Sequence, residues 1–114
     1  MNNQNTLLQI NNYGMGHGDE ELGLKLINNY LKLSQEDDRL PKIITFYNSG
    51  VKLICEGSPV VEALKAAEAK GTKLVACKTC LDHFNLTDKI QVGIAGTMMD
   101  IITLQAGADK VINL

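Results

Sequence analysis

The stretch Lys73-Leu74-Val75-Ala76-Cys77-Lys78-Thr79-Cys80-Leu81-Asp82-His83-Phe84 changes character at Cys77. Lys73 to Cys77 is an apolar run of strand length, the pattern of a strand buried on both faces. Thr79 or a neighbour then caps a short helix predicted to reach about Asn85. A buried strand running straight into a helix is the repeating step of an α/β fold, and the chain on either side continues the step.

Upstream, Thr6 to Ile10 reads as a first strand and Asn11 to Gly18 as a turn-rich loop. Asp19-Glu20-Glu21 place acids in a first helical turn, where the macrodipole favours them. Leu22, Leu26, Ile27, Tyr30 and Leu31 give the stripe of an amphipathic helix to about Leu33. Lys42 to Tyr47 is β-branched and aromatic, a second strand. Val51 to Cys55 is predicted as one helical turn. Ser58 as N-cap and Pro59 at the first helical position start a helix with Val60, Val61, Leu64 and Ala67 inward.

Downstream, Lys89 to Val92 is predicted as a short fourth strand, with breaks at Gly93 and Gly96. Thr97 and Asp100 make a capping pair before an apolar helix carrying Met98 and Met99 in its core-facing part, and Gly107 stops it. Asp109 to Leu114 is a last strand. The alternation predicts a single α/β domain over residues 1–114, a sandwich around a mostly parallel sheet. Sites in such sheets lie at the carboxyl ends of the strands. Residues 11–18, 48–57 and 76–80 should therefore meet on one edge.

Composition bounds the function. The 114 residues are 45% hydrophobic and 21% charged, with only 4% aromatic residues and no Trp. That fits one globular domain with an aliphatic core. The formal net charge of -2 and the lack of a Lys/Arg cluster speak against a nucleic-acid groove. The segment Met1 to Asn5 has neither the basic nor the apolar region of a secretory signal, and no run approaches the ~18 apolar residues of a membrane span. A cytoplasmic location, without membrane or nucleic-acid partners, is the expectation. Three cysteines are an odd number. In a reducing compartment they read as reactive or buried thiols rather than as a disulfide scaffold.

Cys80 is the candidate nucleophile. With Thr79 as N-cap it would be the first helical residue, beside free backbone N–H groups that stabilise a thiolate. Lys78 would add a cation and Asp82 would oppose it. Cys77, at the strand end, is either a resolving partner or a small buried hydrophobe. Cys77, Cys80 and His83 also have C-x-x-C-x-x-H spacing, but a structural zinc site needs a fourth ligand and no second pair is present. No metal and no cofactor are assigned. Gly14-Met15-Gly16-His17-Gly18 lacks the spacing of a dinucleotide loop and precedes three acids, so it reads first as a tight turn that admits another backbone. His17 is a solvent-facing loop residue or an orienting group for a sulfur species. Cys55 reads as buried. Asn48 and Ser49 end the second strand, as turn residues or as hydrogen-bond donors to the site.

The segments Gly16 to Gly23 (GHGDEELG), Asn48 to Gly57 (NSGVKLICEG) and Cys77 to Asp82 (CKTCLD), in this order of strands and helices, resemble the DsrE/DsrF-like sulfur-relay family. The likeness covers nearly the whole chain and is nearest to the carboxyl-terminal domain of YedF-type proteins of selenium metabolism. The resemblance implies a three-layer α/β/α sandwich with a mostly parallel five-stranded sheet. It places the family's sulfur-accepting cysteine on Cys80; the convergence of the loops adds Gly16, His17, Asn48, Ser49, Thr79 and Asp82 as neighbours of that site, with Cys77 as an accessory. It further implies a persulfide relayed from a TusA-like sulfur carrier or another persulfide donor, and assembly into a homo-oligomer. A binding or assembly subunit of a sulfur-relay complex is the alternative, and a metal-binding module a more distant one. The Cys-Pro-x-Pro motif of a TusA-like domain does not occur in the sequence, so the expectation is a separate partner or a stand-alone role.

Overall fold

The chain alternates β1 (Thr6–Ile10), α1 (Glu20–Glu36), β2 (Ile43–Phe46), a 3-10 helix (Asn48–Ile54), α2 (Val61–Ala69), β3 (Lys73–Cys77), α3 (Lys78–His83), β4 (Ile94–Gly96), α4 (Met98–Gly107) and β5 (Lys110–Asn113). The computed structural model describes residues 5–114. Met1 to Gln4, most of the segment read above for a secretory signal, lie outside the described residues. The five strands form one sheet in the order β4-β3-β2-β1-β5. Every pairing is parallel, in registers such as Leu8↔Ile44, Ile44↔Leu74 and Leu8↔Ile112. The sheet is thus wholly parallel, with the five strands expected.

The strand order makes the crossovers from β1 to β2, β3 and β4 move in one direction, and the right-handed rule for such connections lays α1, α2 and α3 on one face. The connection from β4 to β5 returns across the sheet, which sends α4 to the other face and makes the third layer. Side chains at alternate positions, Leu8 and Ile10, Ile44 and Phe46, Leu74 and Ala76, join Ile27, Leu31, Leu64 and Leu81 in one buried cluster. Each such large side chain contributes about 1.5–3 kcal/mol by leaving water. Among the described residues no helix is long and apolar enough to cross a membrane.

Local chemistry explains most element ends. Asp19 caps α1, its carboxylate accepting from the Leu22 N–H at 2.7 Å. Thr97 and Asp100 form the predicted capping box, with bonds of 3.1 and 2.9 Å. Gly14, at φ +137, lies so close to α1 that a Cβ there would be 2.7 Å from the Gly23 carbonyl carbon. Met15 N–H donates to the Gly23 carbonyl at 2.9 Å. The glycine loop therefore admits another backbone at Gly14.

Five expectations are corrected. Lys89 to Val92 is not a sheet strand. Ile90 makes only an isolated antiparallel bridge to Cys55, and the fourth strand is Ile94–Gly96. Its neighbour β3 approaches so closely that a Cβ on Gly96 would be 2.6 Å from Val75 Cγ1. Ser58 does not cap α2; its hydroxyl accepts from the Val60 N–H at 3.2 Å in a turn, and the helix begins at Val61. The buried stripe of α1 is Gly23, Ile27 and Leu31, while Leu22 and Leu26 face solvent. The helical turn after β2 starts at Asn48, earlier than predicted. Met98 and Met99 are exposed, because α4 buries only Ile101 fully.

The 48–57 loop is seated by Gly50, whose N–H donates to Tyr47 O at 3.1 Å. A Cβ at Gly50 would drive into the Ile10 carbonyl, 2.9 Å from its carbon and 3.3 Å from Asn12 N. Gly50→Ala is expected to destabilise the fold by about 1–3 kcal/mol through backbone overpacking. Equilibrium urea unfolding checks this; an unchanged midpoint would show that the approach of β1 and the loop is not tight.

Candidate functional site

Parallel pairing brings the carboxyl ends of β1, β2 and β3 to one edge, and the loops leaving them touch there. Ser49 Oγ donates to Asn12 Oδ1 at 3.2 Å, joining the loop after β2 to the loop after β1. Asn12 Nδ2 in turn donates to the Gly16 carbonyl, closing the glycine loop on itself. The backbone N–H of Asn48 points at Cys80 Sγ, 3.1 Å away, joining the loop after β2 to α3. Asn48 holds this aim in a left-handed backbone conformation, φ 54, which Asn tolerates better than most residues.

Cys77 is the N-cap of α3 with extended backbone, and makes no side-chain capping bond. Thr79 is therefore inside the helix and not its cap. Cys80 is the third helical residue, still in the first turn. The helix starts early because β3 runs into it without an intervening loop, leaving Cys77 in both elements. Cys77 is fully buried, whereas Cys80 is half-buried.

Cys80 opens into a cavity of about 390 Å³ lined also by Tyr47, Asn48, Thr79, His83, Phe84 and Met98. The walls are aromatic rings, a thioether and an imidazole, with His83 set edge-on to Phe84 at 5.1 Å between ring centres. The sequence does not point to Tyr47, Phe84 or Met98, and in it His83 reads only as a metal ligand. The spacing of His83 three residues after Cys80 was the available signal, since such residues share a helix face.

Burial pushes the Cys80 thiol above its ordinary value; the Asn48 N–H works against this, and contact with the Cys77 thiol adds to it. The expected help from Lys78 is absent. Its ammonium is paired with Asp82 at 3.2 Å, and Thr87 Oγ1 donates to the same carboxylate at 2.6 Å. Thr87 first and Lys78 second hold the Asp82 carboxyl below its usual value. These charges cancel on the helix surface and do not face the sulfur.

The remaining sequence-derived residues separate. Gly16 and His17 line a second cavity of about 260 Å³ with Asn12, Tyr13 and Asp19, not the one at Cys80. Ser49 acts as a tie between loops. Cys55 is buried, donates to the Val51 carbonyl at 3.3 Å, and has its thiol pKa raised by burial. Among the described residues no three His, Cys, Asp or Glu side chains converge to hold a metal ion. A larger depression of about 470 Å³ runs along Leu33, Ser34 and Arg39 at the far end of α1, where Arg39 is paired with Asp37 at 2.6 Å.

The fold and this edge define an α/β protein with a half-buried thiol in a soft-walled cleft. The chain belongs to the DsrE/DsrF-like family, whose profile matches residues 6–114, a family generally concerned with sulfur relay. Its structure is similar to that of the ychN protein from E. coli, with 22% identity, 100% of both chains covered and a TM-score of 0.67. It is similar to a protein of unknown function from Methanobacterium thermoautotrophicum, at 16% identity over 96% of this chain and 97% of that one, with a TM-score of 0.71. A conserved protein of unknown function from Bacteroides thetaiotaomicron matches at 17% identity over 96% and 95%, with a TM-score of 0.68. At these identities the likeness is one of fold. No curated protein sequence matches the chain.

The alkylation rate of Cys80 against pH reports this balance. Its midpoint is expected above that of a free thiol, ~8.5, and Cys77→Ala should move it down by removing a contact that raises it. Asn48→Gly keeps the N–H and the positive φ and should leave the profile in place. Asn48→Val resists that φ and should move the midpoint up. Identical profiles for all four proteins would show that neither contact governs the thiol.

Proposed function

We propose that the protein is a small sulfurtransferase-like carrier that accepts sulfane sulfur as a persulfide on Cys80 and relays it. The observation that carries this reading is the half-buried Cys80 sulfur, held by the Asn48 N–H at the mouth of the soft-walled cavity. Loading is a thiol exchange. The Cys80 thiolate attacks the outer sulfur of a donor persulfide, the donor S–S bond breaks, and the donor leaves as a thiolate. His83, the one imidazole among the residues lining the cavity, is the group this reading assigns to take the Cys80 proton. A persulfide is a stronger acid than its parent thiol, so the loaded form ionises more readily than resting Cys80 beside the same Asn48 N–H.

The donor is a TusA-like carrier or another persulfide-bearing protein, acting in the cytoplasm. Selenium, as in YedF-type proteins, would use the same atoms. Self-assembly of the chain is supported by Ile94, Met98, Met99 and Ile102, large apolar side chains exposed on and beside α4. A second reading, a non-catalytic docking subunit of a relay complex, is favoured by one observation: burial raises the Cys80 pKa instead of lowering it.

Intact mass after brief exposure to a sulfane-sulfur donor, with alkylation to trap the product, separates the two readings. Cys77→Ala is expected to gain one sulfur atom and Cys80→Ser none, and wild type to gain one when alkylation traps it at the earliest times. Equal gain on Cys80→Ser, or no gain on any form despite alkylation of Cys80, would leave only the docking role.

A further inference from the structure

Cys77 has a position that packing alone does not require. It occupies the N-cap of α3, where Ser, Thr, Asp or Asn would satisfy a helical N–H, and it caps nothing. Its side chain is wholly enclosed, so no external partner can reach it. Cys80 stands at the third helical position, the spacing at which an N-cap side chain meets its capping-box partner. Residues three apart at this pitch have Cα atoms about 5 Å apart, inside the range that a disulfide spans. One thiol of the pair therefore faces the core and the other faces the cavity.

We propose that Cys77 discharges the Cys80 persulfide as sulfide, giving the protein a sulfide-releasing activity beside its relay role. This rests on the persulfide reading of Cys80. The Cys77 sulfur attacks Cys80 Sγ, the bond from Sγ to the outer sulfur breaks, and a Cys77–Cys80 disulfide forms. The outer sulfur leaves into the cavity as hydrosulfide and takes up the proton lost by Cys77, so one persulfide and one thiol become one disulfide and one hydrogen sulfide. The donor persulfide is the oxidant. A dithiol reductant closes the cycle by attacking Cys80 Sγ, the sulfur exposed to the cavity, and returns both cysteines to thiols as it becomes a disulfide.

The division of exposure sets the order of events. Only Cys80 can be loaded, only Cys77 is positioned to unload it internally, and only Cys80 can be attacked by the reductant. The helical spacing sets the two cysteines side by side, and the Cys77 thiol is among the groups that raise the Cys80 thiol, after burial. Cys55 is bonded to the Val51 carbonyl and takes no part. Fast handover to an acceptor protein yields relay, and slow handover yields sulfide.

The test uses the full chain with a small-molecule sulfane-sulfur donor, followed by sulfide measurement, intact mass and peptide mapping. Wild type is expected to release about one sulfide per chain, lose two hydrogens and yield a Cys77–Cys80 linked peptide; added dithiothreitol should make release continuous. Cys77→Ala should retain the extra sulfur and release roughly tenfold less sulfide or lower still. Mapping on wild type needs no variant, and Cys77→Ser checks that the alanine result is not a folding defect. Persulfide held equally by wild type and both variants, with no linked peptide, would overturn the discharge step and leave the relay reading standing. No sulfur gained by any form would overturn both.

Discussion

Parallel pairing obliges every strand to deliver its chain to the same end of the sheet, and each return must be made by a crossover on a face. That constraint puts the loops after β1 and β2 beside the start of α3 without any of them being specific for the others. Specificity is added by a few short-range contacts: Gly50 against Ile10, Ser49 on Asn12, and Asn48 N–H on Cys80 Sγ. The site is thus a consequence of topology refined by backbone hydrogen bonding. Side-chain charge contributes little, because Lys78 and Asp82 neutralise each other on the helix surface.

Two effects compete at the thiol. Burial among Tyr47, Phe84, Met98 and the core disfavours the anion, while one N–H at 3.1 Å favours it. Burial wins for the thiol. The same N–H gains importance when the sulfur carries a more acidic group, since a charge-assisted hydrogen bond is roughly twice as strong as a neutral one.

The parts of this architecture that were legible in the sequence are those specified by local chemistry. Thr97 and Asp100 state a helix start in two residues, and the apolar runs of β1, β2 and β3 are continuous because both sheet faces are covered. β4 was hidden because Ile94-Ala95-Gly96 is only three residues long between glycines, while Lys89 to Val92 alternates as a half-buried strand does. Thr79 looked like the cap of α3 because its hydroxyl suits the role; the cap is Cys77 because β3 meets the helix with no residue to spare. Asn48 reads in the sequence as a turn residue or a donor to the site, and the donor is its backbone N–H, which no side-chain inventory contains. Met98 reads as core from an apolar helix, yet it is exposed and lines the cavity.

The abrupt joint between β3 and α3 also explains why the two cysteines differ. A strand buried on both faces carries its last residue into the core, so Cys77 is enclosed before the helix begins. Three residues later the helical turn has brought Cys80 alongside Cys77 and toward the strand edge, where the loops open. A longer connection would have separated the pair, and a helix starting at Cys80 would have left Cys77 in a free loop. The spacing C-x-x-C thus yields one accessible and one sealed thiol in contact, with the accessible one second in the chain. That order follows from which end of the motif belongs to the sheet, and it leaves Cys80 open to the cavity and Cys77 in the core.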